Sequence, residues 1–264
     1  MFSRIASELS YYLASVYYNT KSFFVYRAQA WLWILESVLS LLFNLVAVAV
    51  IYTVSSGIPG WSYYQLLFLT YLMYLTYGIA VFLANPWQFP YNLRMGQLDS
   101  LLTRPFGYLT TAFSNARAIS PLIGSVIGSI AFLAYLSLHM HFSLLLILAF
   151  IPLYVLGVAA FVLFLQFLAA ASYKFMKSGT FINQAMNALG TLTNFPLSVY
   201  GGIAQMFFTL LVPIGVAGYY PVQVLLGGVT PEWYVVLIVL SVVFIFVFYR
   251  LFNVLMRSYE SGGG

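Results

Sequence analysis

The sequence predicts an all-α integral membrane protein in which six transmembrane helices follow an N-terminal interfacial helix. Three observations support this fold class. Hydrophobic residues make up 63% of the 264 residues and charged residues only 6%, whereas soluble domains carry roughly 25% charged residues. Apolar stretches recur at the length of a membrane span, and the basic residues fall between alternate stretches. The full prediction adds a cytosolic coupling helix between spans two and three and a re-entrant outer helix pair before the last span.

Composition also excludes several classes of function. The net charge is +5, but Lys and Arg form no dense cluster or stripe, which argues against nucleic-acid binding. The chain has no Cys, which excludes disulfides, a thiol nucleophile and Cys-based metal or iron–sulfur sites. His139 and His141 flank one Met without a nearby carboxylate, and we interpret them as loop residues rather than metal ligands.

The spans follow from the length of the apolar stretches. Residues 1–27 place Phe2, Ile5 and Leu9 at helical spacing and indicate a helix in the membrane interface rather than a signal peptide. A span needs about 20 mainly apolar residues to cross roughly 30 Å of hydrocarbon. Within a single transmembrane domain, residues 1–264, we assign six spans: 28–54, 61–84, 118–138, 142–172, 181–199 and 233–254.

The apolar region between residues 179 and 232 is repeatedly interrupted by Gly and Pro, and by length it could hold one span or two. With one span and a cytoplasmic N-terminus, all ten Lys and Arg residues fall on the cytoplasmic side. Two spans would place Arg250 and Arg257 outside. We therefore predict a re-entrant outer segment at residues 203–226. Both termini are expected in the cytoplasm, and the protein is expected in the cell membrane.

The loop at residues 85–117 contains a short amphipathic pattern. Leu98, Leu101 and Leu102 lie on one helical face, and Pro105 ends the helix. Arg94, Asp99 and Arg104 are the polar residues of the same segment. An apolar face in a cytosolic loop requires a cover, either a partner protein or the chain's own helical bundle, and the pattern alone leaves both interpretations open.

Three stretches resemble the permease subunits of type-2 ABC transporters. Gly96 to Pro105 reads Gly-Gln-Leu-Asp-Ser-Leu-Leu-Thr-Arg-Pro and matches the Gly-x-Leu-Asp-x-x-Leu-x-Arg-Pro string that one branch carries after span two. Asn194 to Tyr200 is similar to the Phe/Tyr-Pro region near the end of span five. Pro213 to Gly228 is similar to the Pro- and Tyr-containing stretch before span six. The resemblance covers nearly the whole chain and implies the same six-span fold.

The resemblance implies that the loop helix is a coupling helix seated in a groove of a separate ABC ATP-binding subunit. The chain itself has no Gly-x-x-x-x-Gly-Lys-Ser/Thr loop, so it is not expected to be an enzyme or to bind a cofactor. ATP and Mg would be used by the partner subunit. A second permease, identical or related, and an exporter activity are also implied. The residues expected to contact or orient the ATPase are Arg94, Gly96, Leu98, Asp99, Leu101, Leu102, Arg104 and Pro105.

Glu36 is the first candidate for the substrate path. It lies about nine residues, or about 13 Å, into span one, where a charged side chain is costly and suggests function. A locally hydrogen-bonded Glu in a helix contact near Ser40 or Asn44 is an equally acceptable interpretation. The other path candidates shape the predicted outer segment: Pro196, Tyr200, Pro213, Tyr220 and Pro221.

Two other classes of membrane protein remain as alternatives. A stand-alone secondary transporter or channel is expected to show paired intramembrane charges or repeated halves, and the sequence offers only Glu36. A scaffold without transport activity is the other alternative. An intramembrane enzyme would need a nucleophile with a base, or a metal cluster, and no such set is evident. Copurification of an ATPase would separate an ABC permease from these alternatives. The sequence does not indicate the substrate.

Overall fold

The computed structural model describes residues 2–55, 57–95, 103, 106–114, 119–172, 179–192 and 195–258. Throughout these residues the regular structure is helical, as the sequence predicts. The α-helices in chain order are α1 (Phe2–Phe23), α2 (Arg27–Val54), α3 (Tyr63–Ala84), α4 (Gln88–Arg94), α5 (Tyr108–Phe113), α6 (Ile119–Ser137), α7 (Leu144–Ala171), α8 (Gly179–Leu192), α9 (Gly202–Leu210), α10 (Tyr220–Leu225) and α11 (Pro231–Arg257). A 3₁₀ turn occupies Leu197–Val199, and a π-helical turn occupies Gly215–Tyr219.

Four helices in the described part of the chain are long and apolar enough to cross a membrane: α2, α3, α7 and α11. Their bounds agree with four of the six predicted spans to within a few residues. The helix at the predicted third span is α6, whose apolar part is Ile119–Ser129. The helix at the predicted fifth span is α8, which is described over Gly179–Leu192. The all-helical membrane architecture is confirmed, and the count of six spans remains a prediction.

Local signals in the sequence set the ends of the helices. Ser62 and Gln65 form a reciprocal capping box at the start of α3, with the Ser62 backbone N–H donating to Gln65 Oε1 at 3.0 Å. Thr230 caps α11, whose first residue is Pro231. At the other end of α3 the chain turns sharply, because Asn85 adopts a left-handed conformation with φ of 36°.

Helix α3 lies at the centre of the bundle and is the most buried of the four long helices. It packs against α2, α6 and α7, while α7 also packs extensively against α11. The small residues Gly124 and Gly128 let α6 approach α2, since an added Cβ would collide with Ser37 or Leu41. Tyrosine hydroxyls bridge the same helices: Tyr71 bonds the Ser129 hydroxyl of α6, and Tyr74 donates to the Ser37 carbonyl oxygen of α2.

The two ends of the bundle differ in charge. Helix α2 starts at Arg27 and α11 ends at Arg257, close to the ends of α3 and α7. We call this the basic end. In the described part of the opposite end there is no Lys or Arg, and Glu232, His139 and His141 are the acidic and imidazole side chains there. The asymmetry has the form that the positive-inside rule predicts.

Between α8 and α11 the chain forms a bent segment instead of a continuous helix. Helix α9 meets the helical stretch Gly215–Leu225 at an angle of 84°. The π-helical turn at the start of that stretch is buried, with Gly215, Val216, Ala217 and Gly218 all inaccessible, and it packs between α3 and α7. Irregular backbone within an apolar protein persists only where protein covers it. We call residues 202–225 the bent segment.

Candidate functional site

The loop between α3 and α6 holds the first candidate site. Arg94 is the last residue of α4, and its backbone is described. The remaining predicted coupling residues lie outside the described part of the chain: Gly96, Leu98, Asp99, Leu101, Leu102, Arg104 and Pro105. What the structure does describe is how the two flanks of this loop are attached to the bundle.

The second flank of the loop is attached to α1. The Thr110 hydroxyl of α5 donates to Glu8 Oε2 at 2.7 Å. The rings of Tyr11 and Phe106 stack with their centroids 4.4 Å apart and an interplanar angle of 14°. A hydrogen bond to a carboxylate and an aromatic stack together fix both the distance and the orientation of α5 relative to α1.

Helix α5 also packs into the basic end of the bundle. Ala112 lies in a small buried cluster with Ala169 and Ala170 at the end of α7 and with Phe252 and Met256 at the end of α11. Small residues on α5 and α7 allow close approach, and Phe252 of α11 is buried in the same cluster. The loop therefore returns to the ends of two long helices before it enters α6.

The first flank of the loop is held by Gln166 of α7, which is completely buried. Its Nε2 donates to the carbonyl oxygen of Ala84 at 2.7 Å. Ala84 is the last residue of α3, where helix carbonyls lack intrahelical partners, so the Gln166 side chain satisfies one of them. Trp87, immediately beyond the turn at Asn85, packs against the core formed by α7.

These attachments connect both flanks of the loop to the bundle. The first flank contacts α3 and α7, and the second contacts α1, α7 and α11. The sequence did not reveal these attachments, since Gln166 and Ala84 are separated by 82 positions, and neither residue type signals a role.

The second candidate site lies at the opposite end and contains the predicted path residues of the bent segment and of the connector that precedes it. Pro196 is buried and leads into the 3₁₀ turn. This connector is tied to two elements: Ser198 Oγ accepts a hydrogen bond from Trp61 Nε1 at 2.9 Å, and the Leu197 carbonyl oxygen accepts one from Gln205 Nε2 at 2.9 Å. Tyr200 follows, with its ring 5.9 Å from that of Phe208 in an edge-on contact. Burial raises the pKa of Tyr200 above its ordinary value.

Tyr220 joins the two arms of the bent segment. Its hydroxyl lies 3.2 Å from Thr209 Oγ1 of α9, and its ring contacts that of Trp233 at the start of α11. Pro221 is buried in the first turn of α10, where a missing N–H is tolerated. Pro213 is buried at the bend, and its carbonyl oxygen accepts from the Ala217 N–H at 3.1 Å. The structure thus brings Tyr200, Pro213, Tyr220 and Pro221 into one folded unit.

Beneath this unit lies a polar contact that the sequence analysis missed. The Thr76 hydroxyl of α3 lies 3.2 Å from the Tyr154 hydroxyl of α7 and 3.4 Å from the carbonyl oxygen of Ala217. Gly157 of α7 is packed so closely on the bent segment that a Cβ would collide with the Val216 carbonyl group. The interrupted Gly and Pro pattern predicted an irregular segment but gave no indication of which helices hold it.

Glu36 lies apart from both sites. It is exposed on α2, where it lines a shallow groove together with Leu32, Leu39 and Phe43 of the same helix. In the described part of the chain its carboxylate makes no hydrogen bond or ion pair. The structure therefore does not group Glu36 with the other path candidates. No cluster of His, Asp or Glu suited to a metal ion occurs among the described residues.

Comparison with known proteins gives one result. A family model described as "ABC-2 family transporter protein" matches residues 38–263, a range that runs from within α2 to beyond the end of α11. No curated protein matches the chain, and no solved structure does.

Proposed function

The chain belongs to the ABC-2 family of transporter proteins, and on that premise we propose that it is the permease subunit of an ATP-driven exporter. The family match over residues 38–263 is the observation that carries the proposal, and it confirms the resemblance drawn from Gly96 to Pro105. The chain is a multi-pass membrane protein with apolar helices. Energy would come from ATP and Mg on a separate ABC ATP-binding subunit.

The loop between α3 and α6 is the surface that we propose for coupling. Leu98, Leu101 and Leu102 would enter a groove on the ATPase, while Asp99 and Arg104 would orient the helix. The attachments of Thr110 to Glu8 and of Gln166 to Ala84 support this role, because they connect the flanks of the loop to the helices that must move. Closure of the ATPase pair would then displace the ends of α3, α7 and α11.

The bent segment is our proposal for the outer end of the path. Its geometry, two short helical stretches at 84°, suits a re-entrant turn that enters from one side and leaves on the same side. Both termini would be cytoplasmic and the protein would lie in the plasma membrane, in accord with the basic end formed by Arg27 and Arg257. A second permease chain would complete the path.

The experiment that tests the coupling proposal compares two neighbouring substitutions. Leu101→Asp removes a side chain whose burial is worth about 1.5–3 kcal/mol, which corresponds to roughly 10- to 150-fold in affinity, and it adds a buried charge. Ser100→Asp adds the same charge on the predicted polar face and serves as the matched control. Both proteins are solubilised with their ATPase, and the ratio of ATPase to permease is measured.

We expect Leu101→Asp to lose the ATPase while the permease remains folded, and Ser100→Asp to retain it. A Leu101→Asp protein that copurifies with the ATPase at the wild-type ratio and transports normally would remove the coupling role. A wild-type chain that brings down no ATPase would return the protein to the stand-alone transporters, channels or scaffolds.

A further inference from the structure

The loop between α3 and α6, which we call the coupling loop, is attached at both flanks to one short stretch of α7. On the first flank, the Gln166 amide donates to the Ala84 carbonyl oxygen, and α4 packs against the same helix. On the second flank, Ala112 of α5 lies in a buried cluster with Ala169. Gln166 and Ala169 are three residues apart and so lie within one helical turn. We call residues 166–169 of α7 the loop anchor.

Gln166 has an unusual hydrogen-bond balance. Its side chain is completely buried, and among the described residues its Oε1 has no hydrogen-bond partner, although its Nε2 has one. A hydrogen bond between neutral groups adds little net stability, whereas a buried acceptor without a donor costs its desolvation. An apolar side chain of the same shape would lose the bond to Ala84 but would also remove the unpaired Oε1, and these two effects oppose each other. Net stability therefore does not account for an amide at this position.

The geometry of the bond does give the amide a role. A hydrogen bond of 2.7 Å is directional, so it fixes both the distance and the angle between α7 and the Ala84 peptide group, whereas an apolar contact leaves the angle free. The next residue, Asn85, turns the chain with φ of 36°, and Trp87 then packs against the core that includes residues of α7. The orientation of the Ala84 peptide group therefore sets the direction in which the coupling loop leaves α3.

We propose that Gln166 is a positioning residue for coupling. Its amide sets the angle at which the coupling loop leaves α3, and it keeps this first flank in register with the second flank on the loop anchor. A displacement of the loop then reaches the same turn of α7 from both flanks. The inference deepens the proposed function and rests on it for the source of the displacement, a separate ATPase, whereas the attachment itself can be tested without one.

Gln166→Met is the test variant, because Met has the same length and nearly the same volume but lacks the amide. Ser172→Ala is the matched control on the same helix. Ser172 is also buried, but its hydroxyl donates to the Ala169 carbonyl oxygen of its own helix at 2.8 Å, so its loss frees neither flank. Gln166→Asn keeps an amide that is one methylene too short for the bond, and it replaces Gln166→Met in every measurement if the Met variant does not fold.

Hydrogen exchange of the purified permease tests the attachment. In Gln166→Met, peptides that cover α4 (Gln88–Arg94) should exchange about fivefold faster, the ratio expected for one lost hydrogen bond. Ser172→Ala should exchange like wild type, and the unfolding midpoint of Gln166→Met should stay close to that of wild type. Unchanged exchange at α4 would overturn the proposal. A lowered midpoint with faster exchange throughout the protein would also overturn it, because Gln166 would then be merely structural.

A cysteine at the outer end tests the coupling role. The chain has no Cys, and Ile203 at the start of α9 is exposed to 89%, so Ile203→Cys is a single labelling site. Its labelling rate is measured in the complex with the ATPase, before and after the ATPase is trapped with Mg-ATP and vanadate. We expect trapping to change the rate in the wild-type and Ser172→Ala backgrounds. In Gln166→Met the ATPase should remain bound, but the change in rate should be lost.

The two measurements separate this inference from the proposed function. A labelling change of wild-type size in Gln166→Met would overturn the positioning role, and so would a wild-type complex whose labelling does not respond to trapping. A wild-type chain that binds no ATPase would refute the exporter, and hydrogen exchange at α4 would still decide whether Gln166 holds the coupling loop.

Discussion

Substitution of Gly157 tests how the bent segment is held. An added Cβ would lie 2.7 Å from the Val216 carbonyl carbon and 2.8 Å from Ala217 Cα, whereas carbon atoms in contact are separated by about 3.5–4 Å. These neighbours are backbone atoms of a buried π-helical turn, so they cannot rotate away. Overpacking of this kind costs about 1–3 kcal/mol, and the gain in helix propensity from Gly to Ala returns about 0.5–1 kcal/mol. Taken at the middle of both ranges, these terms predict that Gly157→Ala lowers the free energy of unfolding by about 1 kcal/mol.

Gly190→Ala is the matched control. Gly190 lies within α8, and an added Cβ would meet no atom within 4 Å. The same change in chemistry should therefore stabilise the protein by about 0.5–1 kcal/mol. Both variants are unfolded by titration with a denaturing detergent from mixed micelles, and the midpoints are followed by tryptophan fluorescence. Equal stability of Gly157→Ala and wild type would show that α7 and the bent segment do not pack as closely as described.

Three further predictions follow from the attachments and the charge asymmetry. Glu8→Ala and Thr110→Ala should couple by about 1 kcal/mol in a double-mutant cycle of unfolding; purely additive effects would mean that the two side chains do not interact. Trp61→Phe keeps the ring packing but loses the hydrogen bond to the 3₁₀ connector, so a loss of about 1 kcal/mol in stability is expected, and an unchanged midpoint would contradict the contact. A Cys at position 258 should be labelled only from the cytoplasm and one at position 56 only from outside, and external labelling at 258 would overturn the six-span topology.

The long helices could be predicted because each depends only on the residues of its own segment. Helices α2, α3, α7 and α11 coincide with apolar runs that are long enough to cross a membrane. The helix of the predicted fifth span is described over Gly179–Leu192, and residues 195 and 196 are not helical, so it stops short of the predicted end at residue 199. Pro196 explains an early end, since proline disfavours helical conformation in the residue before it and cannot donate to the preceding turn.

The side-chain contacts of the candidate sites were less predictable because they join residues that are far apart in the sequence and meet only in the folded protein. The sequence could mark Pro213 and Pro221 as points where a helix breaks, but not that Tyr220 would meet Thr209 across the break. Gln166 is a polar residue in an apolar run, and hydropathy gives no indication that it binds the end of α3. Glu36 was identified by its cost in lipid, whereas its position on the exposed side of α2 required the packing of α2 to be known.

The bent segment also constrains the order in which the chain can assemble during synthesis. Helices of nine and six residues are too short to be stable alone, and a bend of 84° prevents them from entering the bilayer as one rod. The bent segment packs against α3 and α7. Because α3 and α7 precede it in the chain, both are already in the membrane when residues 202–225 leave the ribosome. The nascent protein can therefore dock this segment as it emerges, before α11 closes the bundle, and its irregular backbone need not meet bare lipid at any stage.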